Sequence, residues 1–379
     1  MTWLALLLLT LCSAWISAGW IATYRATRRR PPRLERVEPV SVLKPLCGAD
    51  ADLEQNLESL FRQSYPDFEV VFGAVSDDDP GLAVARRVAA HFPEVASHFV
   101  VHAGGPGLNP KVQNLRRMLP AARHDLILIS DSSLRVPPRW LRELLSVYQH
   151  EGRGLVMNLF ATADEESLGS ALESVQGAGF CMAGVALPTL LGEAAVIGKS
   201  TLLSRRELEA LGGFERLSDV LAEDFVLGKL FQHAGLKVTI APTVLANVTR
   251  RLSVRDFVAR HLRWSMMRWR LEPGAAALEP LVRPLALLPL AMHALGAPGL
   301  AWCGLLWLVR DLGGHVLLRG QKRLWLPLLL APLSDLLMLG VWALAPLKRH
   351  VSWRGTRLRL GAGTLLYREA PAVNPGVPG

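Results

Sequence analysis

The pattern of apolar positions divides this chain into three regions. Residues 1–24, "MTWLALLLLTLCSAWISAGWIATY", hold no charged side chain and are long enough to cross a bilayer as a helix. From about residue 38 to 250, short apolar runs alternate with segments of helical period. "VSVLKPL" (40–46), "EVVFGAV" (69–75), "HFVVHA" (98–103) and "DLILIS" (125–130) read as strands. Between them, "DLEQNLESLFRQ" (52–63), "GLAVARRVAAHF" (81–92), "KVQNLRRML" (111–119) and "PRWLRELLSVYQ" (138–149) read as helices. The alternation predicts an α/β domain over 38–252, a mainly parallel sheet covered on both faces. Ligands of such sheets bind beyond the carboxyl ends of the strands.

Past residue 250 the pattern changes. "SVRDFVARHLRWSMMRWRLEP" (253–273) interleaves basic and aromatic residues, which predicts an amphipathic interfacial helix within 253–281. Residues 282–309, broken by Pro284, Pro289 and Pro298, and residues 324–347 are strongly apolar and form a membrane region over 282–347, with a basic tail over 348–379. Two C-terminal spans is the favoured reading, which puts the tail on the cytoplasmic side and the linker "RGQKR" (319–323) outside. A re-entrant first segment reverses both assignments. The stretch 169–191 is apolar enough to line a path for a lipid tail, but ordinary helix packing is preferred for it.

Charge gives the chain a direction. Arg25, Arg28, Arg29, Arg30, Arg33 and Arg36 follow the first apolar stretch, in a juxtamembrane linker over 25–37. That order predicts an uncleaved anchor with the α/β domain on the cytoplasmic face. The formal net charge of +9 is accounted for by an anionic inner leaflet. No zinc-finger spacing or aromatic RNA-binding signature accompanies it, so nucleic acid is set aside as a partner. The four cysteines, Cys12, Cys47, Cys181 and Cys303, have neither metal-like nor disulfide-like spacing, which fits a reducing compartment.

The candidate chemistry sits at strand exits and helix starts. The second strand runs into "SDDDP" (76–80) and the fourth into "SDSSLRV" (130–136). Asp79 and Asp131 at one sheet edge crowd negative charge, which a divalent cation relieves, although Asp and Ser also favour turns. In "LAEDFVLG" (221–228), Glu223 and Asp224 lie among apolar residues. A carboxylate there suits a helix dipole, or else needs a partner or ligand to offset burial. In "RHLRW" (260–264), Arg260 and Arg263 are one helical turn apart and suited to one anion such as a diphosphate. Together these features fit nucleotide-sugar-dependent transfer to a lipid alcohol. The leaving diphosphate needs a metal ion or fixed cations, and the acceptor hydroxyl needs a base, for which Asp224 is the candidate.

Several stretches, in order, resemble the family 21 glycosyltransferases, the ceramide glucosyltransferases. They are "LKPLCGAD" (43–50), "DDP" (78–80), "NPKVQNL" (109–115), "SDSSLRV", "LAEDFVLG", "RHLRW" and "SWRGTRLRL" (352–360). The resemblance implies a GT-A fold flanked by N- and C-terminal transmembrane helices. It implies inverting transfer of glucose from UDP-glucose to the primary hydroxyl of ceramide. In that scheme Asp224 is the base, Asp79 and Lys111 bind the nucleotide sugar, and Asp131 contacts the metal–diphosphate region. Arg260, Arg263 and Trp264 close the site around the diphosphate, and the cofactor is Mg²⁺ or Mn²⁺. The usual D-x-D is here Asp131-Ser132-Ser133, which puts the metal's coordination in doubt. Glu223 reads as a structural group beside the base. The nearest rival is a hopanoid N-acetylglucosaminyltransferase with the same motif order. A processive polysaccharide synthase needs more spans than this chain offers, and a non-enzymatic scaffold has no need of the full set of acids and arginines.

Overall fold

A computed structural model describes residues 2–50, 52–353 and 356–368. Part of the basic tail expected over 348–379 thus lies outside the described residues. Helix α1 (Thr2–Arg28) is long and apolar enough to cross a membrane. At 27 residues it is about 40 Å long, more than a bilayer core requires. Leu9, Cys12 and Ile16 pack inward while Trp3, Leu4, Leu7, Leu11 and Trp15 stay exposed. Its basic end is tied to the α/β domain, because the Arg29 guanidinium donates to the Ile240 carbonyl and reaches Glu151 at 3.5 Å.

The α/β domain begins with β1 (Val40–Pro45), α2 (Leu53–Phe61), β2 (Phe68–Ala74), α3 (Pro80–Ala90), β3 (Ala96–Val101) and α4 (Pro110–Met118). It continues with β4 (Leu126–Ser130), β5 (Leu134–Arg135), α5 (Trp140–Glu151), β6 (Gly154–Ala163), α6 (Leu168–Gln176) and α7 (Met182–Leu190). It closes with β7 (Ser200–Ser204), α8 (Arg205–Ala210), α9 (Glu223–His233) and β8 (Lys237–Val248). The eight strands form one sheet in the order β3-β2-β1-β4-β7-β6-β8-β5. β3, β2, β1 and β4 run parallel, as do β6 and β8, while β7 is antiparallel to both its neighbours. The expected strands and helices of the first half lie within a residue or two of their predicted bounds. Strand β7, a five-residue "STLLS", has no counterpart in the sequence reading. Buried on both faces and only five residues long, it carries no alternation to detect.

Two helices start with the same device. Asp79 caps α3 with Pro80 at its first position, and Asn109 caps α4 with Pro110. The stretch 169–191 is α6, a π-helical turn (Gly177–Cys181) and α7; α6 is wholly buried after its first residue, while the end of α7 leaves Leu190 and Leu191 exposed.

Helix α10 (Val254–Leu271) leaves the domain and is followed by α11 (Pro273–Leu278), α12 (Pro284–Leu295) and α13 (Pro298–Trp307). After a second π-helical turn (Leu308–Leu312) come α14 (Gly313–Arg319) and α15 (Trp325–Leu344). The apolar run 282–309 is a helical hairpin here, which corrects its reading as one span. The chain reverses at Gly296, whose φ is +67°, and the start of α13 packs back on α12. A Cβ on Gly299 would stand 2.6 Å from the Ala291 carbonyl, and Cys303 Sγ lies 3.4 Å from the Pro284 carbonyl. At 12 residues, α12 is about 18 Å long, too short to cross alone.

Thr2–Arg28 and Trp325–Leu347 are each long and apolar enough to cross a membrane. The two ends of α15, however, are both fastened to the α/β domain. Before it, Arg319 and Arg323 converge on Glu165, with Arg323 donating to the Glu165 carbonyl at 2.6 Å. After it, the chain forms a small antiparallel sheet of β9 (His350–Trp353), β10 (Thr356–Leu360) and β11 (Leu366–Arg368). Arg270 of α10 donates to the Lys348 carbonyl at 2.7 Å, and Leu221 N–H donates to the Thr364 carbonyl at 2.9 Å. Helix α15 packs against α6 and α10 and turns Leu328, Leu329, Leu333 and Leu336 outward.

Single cysteines at Lys322 and Ser352, in a background without the four native cysteines, are expected to react with a membrane-impermeant maleimide from one side of sealed vesicles. That side is the one from which a cysteine at Asp77 reacts. Labelling from opposite sides would show α15 to be a span.

Candidate active site

Four segments meet beyond the carboxyl end of β4, and one lysine joins three of them. The "NPK" of α4 works by position: Asn109 caps the helix, Pro110 starts it, and Lys111 follows with its side chain directed at β4 and α9. The Lys111 ammonium lies 3.1 Å from Asp131 Oδ1 and 3.3 Å from Glu223 Oε1, and donates to the Gly198 carbonyl at 2.7 Å. Burial works against its charge, but Asp131, Glu223 and Asp224 outweigh that and push its pKa far up. Lys111 is an ammonium at any working pH.

Asp224 opens α9 with a fixed carboxylate. One oxygen accepts from Gly198 N–H at 2.6 Å and the other from Phe225 N–H at 2.8 Å. Each oxygen keeps a lone pair for a further donor. Beside it, Glu223 accepts from Asn109 Nδ2 at 3.2 Å. Burial raises the Glu223 pKa, with Lys111 pulling it down and Asp224 pushing it up again. The two adjacent acids thus divide: Glu223 holds Lys111 and Asn109, and Asp224 faces the Gly198 loop.

Asp131 is crowded by cations. Besides Lys111, Lys199 Nζ lies 3.5 Å from Oδ2, and buried Lys44 donates to the Asp131 carbonyl at 2.7 Å and to Ser130 Oγ at 3.0 Å. Burial opposes the Asp131 charge, but Lys111, Lys199 and Lys44 hold its pKa below the carboxylate range. Burial pushes Lys44 down to about 7. The expected divalent ion does not fit this donor set. Both Asp131 oxygens face ammoniums, and no group of three or more His, Cys, Asp or Glu capable of holding a metal exists among the described residues.

The other expected site residues are placed as follows. Asp79 accepts from the N–H groups of Gly48, Gly81 and Leu82, so its carboxylate pins the loop after β1 to the start of α3. On α10, Arg260 pairs with buried Glu173 at 3.4 Å, and its charge is felt at Lys199. Arg263 makes no hydrogen bond or ion pair with any described residue. Burial and the neighbouring Arg260 lower its pKa. Trp264 packs edge-on against His261, ring centroids 5.0 Å apart. His261 in turn bonds Glu173 at 3.0 Å. Sequence reasoning missed Lys199, Gly198, Lys44 and the Glu173–His261 pair. The "GKS" at 198–200 was the available signal for the first two, a glycine and a lysine at the mouth of a short strand.

The fold and this arrangement define a GT-A glycosyltransferase, with an acid, a lysine and a carboxylate-led helix gathered at the sheet edge. The chain belongs to glycosyl transferase family 21, which it matches over residues 4–366. It is 29% identical over 253 residues to ceramide glucosyltransferase 1 of Caenorhabditis elegans, covering 65% of this chain and 54% of that protein. Ceramide glucosyltransferase 3 of the same organism is 28% identical over 252 residues, covering 64% and 53%. The chain thus spans about half the length of these curated relatives. Among solved structures, a mannosyltransferase of Pyrobaculum calidifontis in complex with GDP-Man and Mn²⁺ shares the fold. Its TM-score is 0.53 at 19% identity, covering 90% of this chain and 99% of that one.

Two outcomes test this geometry. A Cβ on Gly198 would lie 2.6 Å from Asp224 Cβ, so Gly198→Ala must push α9 away. Transfer activity is expected to fall about a hundredfold while the unfolding temperature changes little. Secondly, burial raises the Glu173 pKa, but His261 and Arg260 outweigh it and hold the carboxyl at about 2. A depressed carboxylate stabilises the fold above its unfolded pKa, and that contribution disappears as pH falls toward the folded value. Glu173→Gln is expected to cost roughly 3 kcal/mol at pH 7, with the gap to wild type closing between about pH 4.5 and 2. Denaturant unfolding across that range measures it.

Proposed function

We propose that this chain transfers glucose from UDP-glucose to the primary hydroxyl of ceramide, with inversion at the anomeric carbon. The observation that carries the reading is Asp224, an oriented carboxylate beside the Lys111–Asp131 pair at the sheet's ligand-binding edge. Family membership and the activity named for the C. elegans relatives support the donor and acceptor. The apolar anchor and the outward leucine face of α15 support an acceptor that stays in the membrane.

In the reaction the acceptor oxygen attacks the anomeric carbon as the bond from that carbon to the diphosphate oxygen breaks. Asp224 takes the hydroxyl proton, and UDP departs with the bonding pair. Lys111 is a cation whose charge Asp224 supports, and Arg263, which has no hydrogen-bond or ion-pair partner among the described residues, serves the diphosphate. Trp264, braced by His261, closes that side. Asp79 acts on the nucleotide through the loop it pins at Gly48. A divalent ion, when bound in related enzymes, supplies counter-charge to the leaving group. The basic cluster after α1 supports a cytoplasmic catalytic domain.

Asp224→Asn is expected to reduce formation of hexosylceramide from UDP-glucose by at least about a hundredfold, while UDP still binds. Mass spectrometry of lipid products from membranes carrying the chain measures it. Full activity in that variant removes Asp224 as the base. Products formed only from UDP-N-acetylglucosamine and a hopanoid polyol would keep the mechanism and replace both substrates.

A further inference from the structure

The third position of the D-x-D motif is Ser133, and what stands between it and Asp131 is a side chain of this protein. Lys199 Nζ lies 3.5 Å from Asp131 Oδ2 and donates to Ser133 Oγ at 3.2 Å. It thus bridges the first and third residues of the motif. Its position is built. Asp131 N–H donates to the Lys199 carbonyl at 2.9 Å, and the ammonium sits over the Phe160 ring, 5.5 Å from its centroid. The two serines are also committed. Ser132 Oγ donates to Asp50 Oδ2 at 2.9 Å, and Ser133 Oγ donates to Asn247 Oδ1 at 2.8 Å.

A hard divalent cation requires several oxygen ligands, at least one or two of them carboxylates free of other cations. Asp131 is the only carboxylate of this motif, and its two oxygens face Lys111 and Lys199. Those two ammoniums hold the positive charge at the motif, partnered in the free site by Asp131 and, at Lys111, by Glu223. The ammoniums bring it on fixed side chains, so nothing has to be recruited with the donor.

We propose that Lys199, acting with Lys111, is the diphosphate-binding cation of this site, and that the chain binds its nucleotide-diphosphate donor without a divalent ion. Lys199 is a residue for which neither family membership nor the motifs gave a role. The inference rests on the proposed donor class but not on the acceptor, so it is tested with UDP alone.

The measurement is calorimetric titration of UDP into the full chain in detergent, once with excess EDTA and once with Mn²⁺. UDP affinities within about threefold of each other are the expected result. Lys199→Met, which keeps most of the side-chain volume, is expected to weaken UDP about tenfold or more in EDTA, with Mn²⁺ restoring part of the loss. Wild-type binding that appears only with Mn²⁺ overturns the proposal and leaves the UDP-sugar reading standing. Unchanged UDP affinity in a folded Lys199→Met also overturns it. If that variant does not fold, the wild-type comparison still decides. Absence of UDP binding under both conditions overturns the proposal together with the donor assignment beneath it.

Discussion

One ammonium holds the site together. Lys111 touches the exit of β4 through Asp131, the start of α9 through Glu223, and the loop before β7 through the Gly198 carbonyl. Without it three acids would share one cleft, and their repulsion would separate the segments that carry them. Leaving a buried charge unpaired costs several kcal/mol. The cap at Asn109 matters for the same reason. It fixes the first turn of α4, and with it the direction in which Lys111 leaves the helix.

A second ionic network sets where the membrane-facing part sits. Arg283 bonds Glu279 at 2.6 Å and Asp335 at 3.3 Å, and Arg310 bonds Asp335 and Asp311, both at 2.8 Å. All five side chains are buried, and each is paired, which is the condition for charges in a low-dielectric interior. The network joins the α12 start, the π-helical turn and α15. Glu279 extends it to Arg268 on α10 at 3.0 Å. The helix that presents Arg263 and Trp264 is therefore fixed from the membrane side as well as by Glu173.

The sequence was most readable where burial and period coincide. Strands β1, β2 and β4 are short apolar runs because both faces are covered, and the helices between the first four strands show one apolar face each. Asp131, Lys111 and the Glu223–Asp224 pair could be read because they stand at the ends of such elements. Lys199 could not, since its approach to Asp131 depends on β7 lying between β4 and β6, an adjacency that local pattern does not encode. Helix α15 was legible as an apolar helix long enough to cross a membrane, but its contacts were not. Hydropathy measures length and composition, whereas its course is set by what Arg323 and Lys348 bond at its two ends. Asp79 shows the opposite case, a motif residue whose visible work is capping.

The small sheet after α15 orders the start of α9. Leu221 and Ala222, the residues just before Glu223, donate to Thr364, and Leu366 N–H donates to the Asp219 carbonyl at 2.7 Å. The α9 start lacks a side-chain cap of its own, so the tail supplies the order that a cap would give. Arg270 ties the same tail to α10. On the proposed reaction, the base helix and the diphosphate-facing helix are thus held by one element, which is itself reached only through the membrane-facing α15. A lipid hydroxyl that cannot leave the bilayer requires a base fixed relative to the membrane. In this chain, that relation is built by chain continuity from α15 into the tail and by the tail's hydrogen bonds to Leu221 and Ala222 at the start of α9.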